Sequence, residues 1–239
     1  MRPVADELAP GSDYGPFRIE GILGRGGMGV VYRAREKALD RVVALKLISS
    51  DFAVSQDWRD RFQREARLGA ALEHPNIVPV YAAGEIEGRL FISMRFIDGV
   101  DLGSLVARSG GLPPARAVDI AERVAEALDT AHDKGLVHRD VKPANILVGP
   151  DDRDGRPQVY LTDFGLTRRS ADQGMTRTGT LLGTVFYMAP EQIEGGDDVD
   201  GWDDAETLTR AGKILIRGAY LLARSSGVNR IQGGSVQIN

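Results

Sequence analysis

The sequence is constrained most by residues 138–145, which read His-Arg-Asp-Val-Lys-Pro-Ala-Asn. Apolar residues flank this stretch on both sides, so the pattern predicts a short polar loop between two buried strands. Asp140 could take a proton from a hydroxyl group, Asn145 could offer an oxygen to a hard cation, and Lys142 could hold a phosphate by charge. The loop therefore indicates a catalytic site, and the alternative is a charged surface turn.

Composition narrows the classes of protein that the chain can belong to. Its 239 residues are enough for one large domain or for two lobes, and 42% apolar with 27% charged residues is typical of a globular protein. A net charge of −4 provides no basic field, so we expect no nucleic-acid partner. The absence of cysteine excludes disulfides, zinc–thiolate sites and cysteine nucleophiles. No signal peptide and no apolar run of about 18 residues is present, so we expect no membrane segment in this chain.

A glycine-rich segment follows the first predicted strand, which covers residues 17–23. Residues 24–29 read Gly-Arg-Gly-Gly-Met-Gly, and such glycines let a backbone fold closely over a ligand. Dinucleotide-binding folds use the same spacing, but a helix follows it there, whereas β-branched residues that favour a strand follow it here. A dinucleotide-dependent oxidoreductase is therefore nearly excluded, and a plain glycine-rich hairpin is the remaining alternative.

A lysine interrupts the next predicted strand, residues 41–48. Lys46 stands among apolar residues, and a buried ammonium group needs a partner unless it extends from an edge into solvent. The predicted helix over residues 55–72 supplies Glu65 as a candidate partner. Taken alone, Glu65 would be one more solvated helix carboxylate.

The rest of the pattern continues as a mixture of helices and strands. Asp163 ends the last predicted strand in the sequence Asp-Phe-Gly, and together with Asn145 it would give two oxygen ligands that suit Mg²⁺. An ordinary turn is the alternative for this tripeptide. Further strands are predicted over residues 90–97, 146–148 and 159–162, and a long helix over residues 113–134.

These motifs, followed by Ala-Pro-Glu at residues 189–191, resemble in order and spacing a eukaryotic-like Ser/Thr protein kinase of the bacterial, actinobacterial type. The resemblance implies an α+β, bilobal fold with a small antiparallel-sheet N-lobe and a helical C-lobe that is truncated after the activation segment. The expected division is a disordered tail (1–13), an N-lobe (14–97), a C-lobe with the catalytic loop and activation segment (98–202), and an aberrant C-terminal segment (203–239) with at most one helix and a disordered end.

The resemblance also implies roles for individual catalytic residues. Asp140 would accept the proton of the substrate hydroxyl, Lys142 would steady the γ-phosphate, and Thr184 would bond to either of them. Asn145 and Asp163 would hold Mg²⁺ or Mn²⁺. Lys46, held by Glu65, would grip the α- and β-phosphates of ATP.

The remaining implied roles concern nucleotide binding and regulation. Besides Lys46, the residues expected to bind ATP are Leu23, Gly24, Arg25, Gly26, Gly27, Met28, Gly29, Val31, Ala44, Met94, Arg95, Ile97 and Leu147. Arg95 stands where the family usually has glutamate, but a backbone contact with adenine tolerates that change. Thr176 and Thr178 are expected sites of autophosphorylation, because a phosphothreonine there could order the loop, and the alternative is an ordinary threonine-containing loop.

The implied function is that of a non-specific serine/threonine protein kinase in the cytoplasm, with ATP and a protein as its partners and a homodimer left open. The resemblance fails after Glu191, since residues 205–212 do not continue the expected helix, which indicates a truncated or frameshifted chain or a junction with foreign sequence. The alternative is therefore a truncated, ATP-binding fragment without activity that acts as a binding or regulatory module.

Overall fold

The computed structural model describes residues 7–49, 56–138 and 140–164, without the side chain of Asp57. Within these ranges the chain forms nine strands and three α-helices. They follow one another as β1 (Asp13–Tyr14), β2 (Phe17–Gly26), β3 (Gly29–Glu36), β4 (Arg41–Ile48), α1 (Gln56–Ala70), β5 (Val80–Ile86), β6 (Arg89–Arg95), β7 (Val100–Asp101), α2 (Leu102–Ser109), α3 (Pro114–Asp133), β8 (Ile146–Asp151) and β9 (Pro157–Leu161).

The first six strands form one antiparallel sheet in the order β1-β2-β3-β4-β6-β5, and α1 packs against β5. Strand β4 is almost continuously apolar, and both of its faces are buried against other side chains. Val43, Leu45 and Leu47 join an outer cluster that includes Tyr32, whereas Ala44 and its face neighbours join a second cluster on the opposite face. We call the cluster that contains Tyr32 the outer cluster, and the cluster that contains Ala44 the cleft cluster.

The second part of the fold places a three-stranded sheet, β7-β8-β9, beside α2 and α3. Pro114 lies in the first turn of α3, and Gly135 follows the helix with a φ of 71°, a left-handed conformation that suits glycine. One apolar stripe of this helix is buried, with spacings of three and four residues: Ala117, Ile120, Val124, Ala127, Leu128 and Ala131.

Backbone hydrogen bonds join the two lobes behind the site. The segment between α1 and β5 pairs with β9 through a parallel bridge of Ile77 and Leu161, and Leu161 N donates to Asn76 O over 2.7 Å. The buried Asn76 Nδ2 donates to Val159 O over 2.8 Å. The lobe that contains the six-stranded sheet is thereby fixed to β9, the strand that precedes Asp163.

The elements predicted for the described residues are found, with boundaries that differ by a few residues. Strands β1 and β7 and helix α2 were not predicted, because elements of two to eight residues are too short to show a clear periodic pattern. The predicted disordered tail differs from the structure over residues 7–13, where hydrogen bonds join the segment to β2 and β3 and β1 begins. Residues 165–192 and the predicted segment 203–239 lie outside the described residues.

The described part of the chain includes no helix that is both long and apolar enough to cross a membrane.

Candidate active site

The glycine-rich segment forms a hairpin. Strands β2 and β3 pair antiparallel up to Gly26 and Gly29, with Gly27 and Met28 at the turn, so a strand follows the segment as predicted. Gly29 has a φ of 147°, and a Cβ atom there would lie 1.9 Å from Leu47 O. Only glycine allows this approach of the hairpin to β4.

Lys46 is buried and lies on the face of β4 that carries the cleft cluster. Its side chain is 9% exposed, and Nζ lies 2.7 Å from Oδ1 of Asp163 at the end of β9. The alternative of a lysine that extends into solvent is therefore wrong. The sequence assigned Asp163 to a metal and did not predict this ion pair. Glu65 is half-buried on α1, and its pairing with Lys46 stays a prediction.

Asp163 is held in an unusual backbone conformation beside two cations. Its φ of 67° is left-handed, which is uncommon for a residue with a side chain and is found often at functional sites. Burial by itself would raise the pKa of the Asp163 carboxyl group. The charge and hydrogen bond of Lys46, with a smaller contribution from Lys142, outweigh burial and lower that pKa below its ordinary value. Asp163 is therefore a carboxylate at neutral pH.

The carboxylate of Asp140 is fixed by two residues of its own loop. Lys142 Nζ lies 2.9 Å from Oδ1 and 2.7 Å from Oδ2, and Asn145 Nδ2 donates to Oδ2 over 2.9 Å. The same amide donates to the backbone oxygen of Asp140 over 2.8 Å. The three polar residues that the sequence singled out thus form one hydrogen-bonded unit, which the alternative of a loose surface turn does not explain.

His138 supports this loop from within the core, a role that the sequence reasoning missed. The ring is fully buried, Nδ1 accepts from Asp140 N over 3.2 Å, and Nε2 lies 2.8 Å from Thr162 O. Since Nδ1 accepts a backbone N–H, the neutral ring carries its proton on Nε2 and donates to Thr162. The ring also packs against Phe164, with 4.6 Å between ring centroids. His138 thereby connects the Asp140 loop to the Asp163 turn.

Asn145 and Asp163 offer oxygen ligands that fit a Mg²⁺ site shared with a nucleotide. Thr162 N donates to Asn145 O over 3.0 Å, which places the two ligand candidates on adjoining backbone segments. The bonds from Nδ2 of Asn145 to Asp140 leave its carboxamide oxygen for a cation. The described residues contain no cluster of three or more His, Cys, Asp or Glu side chains that could hold a metal. A two-oxygen site of this kind suits Mg²⁺, which keeps several waters or phosphate oxygens as ligands.

Most of the side chains predicted to surround adenine share the cleft cluster. Ala44 and Met94 are cross-strand partners on β4 and β6, and the cluster also takes in Val31, Ile97 and Leu147. Leu23, by contrast, is 47% exposed on β2. These apolar residues could be assigned to an adenine site only through the family resemblance, because residues of the same types occur in any hydrophobic core.

Arg95 ends β6 and is exposed where the chain passes between the lobes. Its backbone N–H donates to Pro79 O over 2.9 Å, and its guanidinium lies 5.7 Å from the centroid of the Tyr160 ring. The backbone of residues 95–97 is the part of the chain that the predicted adenine contact would use. The tolerance of arginine in place of the usual glutamate stays a prediction.

Five residues with predicted roles or motif positions lie outside the described residues: Arg139, Gly165, Thr176, Thr178 and Thr184. The same holds for Ala-Pro-Glu at residues 189–191.

Comparison with known proteins gives matches of sequence and of fold. The sequence model of the protein kinase domain matches residues 17–204. Serine/threonine-protein kinase PknE of Mycobacterium bovis is 46% identical over 187 residues, which cover 78% of this chain and 32% of that protein. Serine/threonine-protein kinase PknD of Mycobacterium tuberculosis is 49% identical over 187 residues, covering 78% of this chain and 27% of that protein. The chain thus spans about a third or less of the length of these relatives.

The fold matches the solved structure of a kinase domain. The crystal structure of the Mycobacterium tuberculosis PknI kinase domain aligns with a TM-score of 0.73 and 34% sequence identity. The alignment covers 89% of this chain and 79% of that structure. The α+β, bilobal architecture expected from the sequence is therefore confirmed.

Proposed function

Because the chain belongs to the protein kinase family, we propose that it transfers the γ-phosphate of ATP to serine and threonine hydroxyl groups of proteins. The observation that carries this proposal is the fixed Asp140 carboxylate, which Lys142 and Asn145 hold at hydrogen-bond distance. Phosphoryl transfer depends on positioning and on charge neutralisation, and this loop provides groups for both.

In the proposed reaction Asp140 orients the substrate hydroxyl group and accepts its proton as the oxygen attacks the γ-phosphorus. The bond between that phosphorus and the ADP oxygen breaks, and ADP leaves. Lys142 already contacts both carboxylate oxygens of Asp140, so its ammonium group is close enough to the reacting atoms to balance the negative charge of the γ-phosphate. Thr184 would bond to either residue.

We propose that ATP binds between the glycine hairpin and the cleft cluster. The backbone of residues 24–29 would cover the phosphates, and Val31, Ala44 and Leu147 would enclose adenine. Lys46 would contact the α- and β-phosphates with Glu65 as its partner. Asn145 and Asp163 would hold Mg²⁺, or Mn²⁺, which supplies charge neutralisation at the β- and γ-phosphates when bound.

The same proposal includes the regulation of the protein and its cellular compartment. Autophosphorylation at Thr176 or Thr178 would create charge-assisted hydrogen bonds that order the activation segment. We place the reaction in the cytoplasm, where ATP is supplied. Self-association through the small lobe is an implication of the resemblance that stays a hypothesis.

A second candidate is an ATP-binding module without phosphotransfer activity. The family match extends past the predicted end of the resemblance at Glu191, and the observation that favours this candidate is that the match stops at residue 204. The two candidates share nucleotide binding and differ only in phosphate transfer.

A comparison of the wild-type chain with the Asp140→Asn variant tests the two candidates and the role of Asp140 as the base. The initial rate of phosphate transfer from ATP·Mg²⁺ to protein serine and threonine should fall by at least about 100-fold, since a general base contributes that much. Binding of ATP·Mg²⁺, measured by calorimetry, should change by less than about 2-fold, because Asp140 acts on the hydroxyl group. Asp119→Asn is the matched control, because Asp119 is a half-exposed carboxylate on α3 that pairs with Arg123.

If the wild-type chain binds ATP·Mg²⁺ without transferring phosphate, the second candidate is correct. If it binds no ATP, both candidates fail. An Asp140→Asn variant with wild-type transfer rates would overturn the assignment of the base.

A further inference from the structure

We propose that Glu7, in the segment before β1, is a positioning residue that holds the glycine hairpin, through Arg25, in the geometry that binds the ATP phosphates. The inference rests on the proposed nucleotide-binding role of the hairpin. It concerns a residue far from the reacting atoms, which would act through the hairpin backbone.

The contact between the two residues is a bidentate ion pair. Arg25 Nε lies 2.7 Å from Glu7 Oε1, and Arg25 Nη2 lies 3.0 Å from Oε2. Two parallel bonds between a guanidinium and a carboxylate define one relative orientation, which a single lysine contact would not. The side-chain hydrogen bond lowers the pKa of Glu7 and raises that of Arg25, so both groups are charged at neutral pH.

The segment that carries Glu7 is itself anchored to the small lobe. Leu8 N donates to the hydroxyl oxygen of Tyr32 over 3.1 Å, and the Tyr32 side chain is fully buried. Leu8 packs against the outer cluster, and Gly11 N donates to Ile19 O over 2.8 Å. Glu7 therefore connects the hairpin to a fixed point on the core.

The strand register places Arg25 on the face of the hairpin that is turned away from the cleft. Arg25 is the cross-strand partner of Val30, which belongs to the outer cluster, whereas Gly24 is the partner of Val31, which belongs to the cleft cluster. Cross-strand partners project to the same face of a sheet. The guanidinium thus holds the hairpin from behind, while the backbone is left to face the nucleotide.

The β2 side of the hairpin end has little other support, whereas the β3 side is held by the contact of Gly29 with β4 and by the hydrogen bond from Ser49 N to Met28 O over 2.8 Å. A Cβ atom added at Gly24, Gly26 or Gly27 would meet no atom within 4 Å, and the register of β2 is irregular between Ile22 and Gly24. Packing alone does not fix such a backbone, whose glycines have a large conformational freedom. An ion pair at Arg25, within this stretch, restricts the hairpin before the nucleotide binds and so reduces the entropy lost on binding.

The test compares the dissociation constants of ATP·Mg²⁺ and of adenosine for wild type and Glu7→Gln by calorimetry. The affinity for ATP·Mg²⁺ should fall by about 3- to 5-fold, the upper range for an exposed ion pair, since Arg25 is 58% exposed. The affinity for adenosine should stay the same, because the hairpin end covers phosphates. Glu7→Arg combined with Arg25→Glu should recover most of the lost affinity.

Asp13→Asn is the matched control, because it removes another ion pair of the N-terminal region, with Lys37 over 3.2 Å, away from the hairpin end. It should leave both affinities unchanged. Equal weakening of adenosine and ATP, an unchanged ATP affinity in Glu7→Gln, or no recovery in the charge exchange would overturn the role of Glu7 and leave the nucleotide site intact. A wild-type chain that binds neither ligand would overturn the proposed function and this inference with it.

Discussion

At the scale of single residues, the geometry of the site depends on a few positions at which one particular side chain is needed or only glycine fits. His138 accepts from the backbone of Asp140 and lies against the carbonyl oxygen of Thr162, so the catalytic loop is supported from its buried side. Asp163 keeps a left-handed backbone next to Lys46. Gly29 brings the hairpin against β4 where a methyl group has no space.

Substitution of Gly29 by alanine should strongly destabilise the protein. The new Cβ would lie 1.9 Å from Leu47 O at a φ of 147°, so the hairpin would have to separate from β4. We expect the free energy of unfolding, measured by urea denaturation, to fall by about 2–4 kcal/mol. Gly27→Ala is the control, because a Cβ there meets no atom within 4 Å. Equal effects of the two substitutions would contradict this account of the hairpin.

At the scale of elements, the β8–β9 hairpin sets the spacing of the two metal-ligand candidates, since Asn145 precedes β8 and Asp163 follows β9. Asp152 closes the turn of this hairpin: Oδ1 accepts from Arg156 N and from Asp154 N, each over 2.9 Å. These bonds to the charged form, that from Arg156 first, lower the pKa of Asp152 from its ordinary value of 3.8, although burial opposes them.

The hairpin should consequently lose stability in acid. A carboxyl group whose pKa is lowered by folding stabilises the folded state above its ordinary pKa, and that contribution is lost as the pH falls through the lowered value. We expect the exchange protection of the Arg156 amide to be constant near neutral pH and to fall below about pH 3.8. Asp152→Asn keeps an acceptor oxygen without a titrating proton, so protection there should not depend on this titration. The same fall with pH in both proteins would exclude Asp152 as its cause.

At the scale of the whole molecule, the site exists only because two lobes are held together. Lys46 comes from the six-stranded sheet and Asp163 from the end of β9 in the other sheet. The buried contacts of Asn76 with Val159 and Leu161 fix that relation, and Arg95 adds a ring contact with Tyr160.

Replacement of Asn76 by alanine should weaken the connection between the lobes. Val159 O would lose a buried donor, which costs about 1–3 kcal/mol of the free energy of unfolding. The urea dependence should also become less steep if the lobes begin to unfold separately. Arg153→Ala, in the turn before β9, is the control, because Arg153 is exposed and should change stability by less than about 0.5 kcal/mol. An Asn76→Ala variant as stable as the control would show that other contacts hold the lobes together.

The sequence by itself determined the family and most of the element pattern, and it predicted the residues of the site. Asp140, Lys142 and Asn145 act within one loop, and short-range order in the chain is enough to bring such residues together. Glycine spacing and β-branched residues likewise distinguished a hairpin from a strand–helix turn, because local conformational preference decides between them.

Only the tertiary structure decided which distant side chains meet. The pair of Lys46 with Asp163, the buried ring of His138 and the anchoring of residues 7–12 on the six-stranded sheet all join segments far apart in the chain. Charge and burial at such positions depend on tertiary packing, which no local pattern encodes. For the same reason the segment before β1 resembled a disordered tail in the sequence, although its bonds to Tyr32 and Arg25 connect it to the core and to the glycine hairpin.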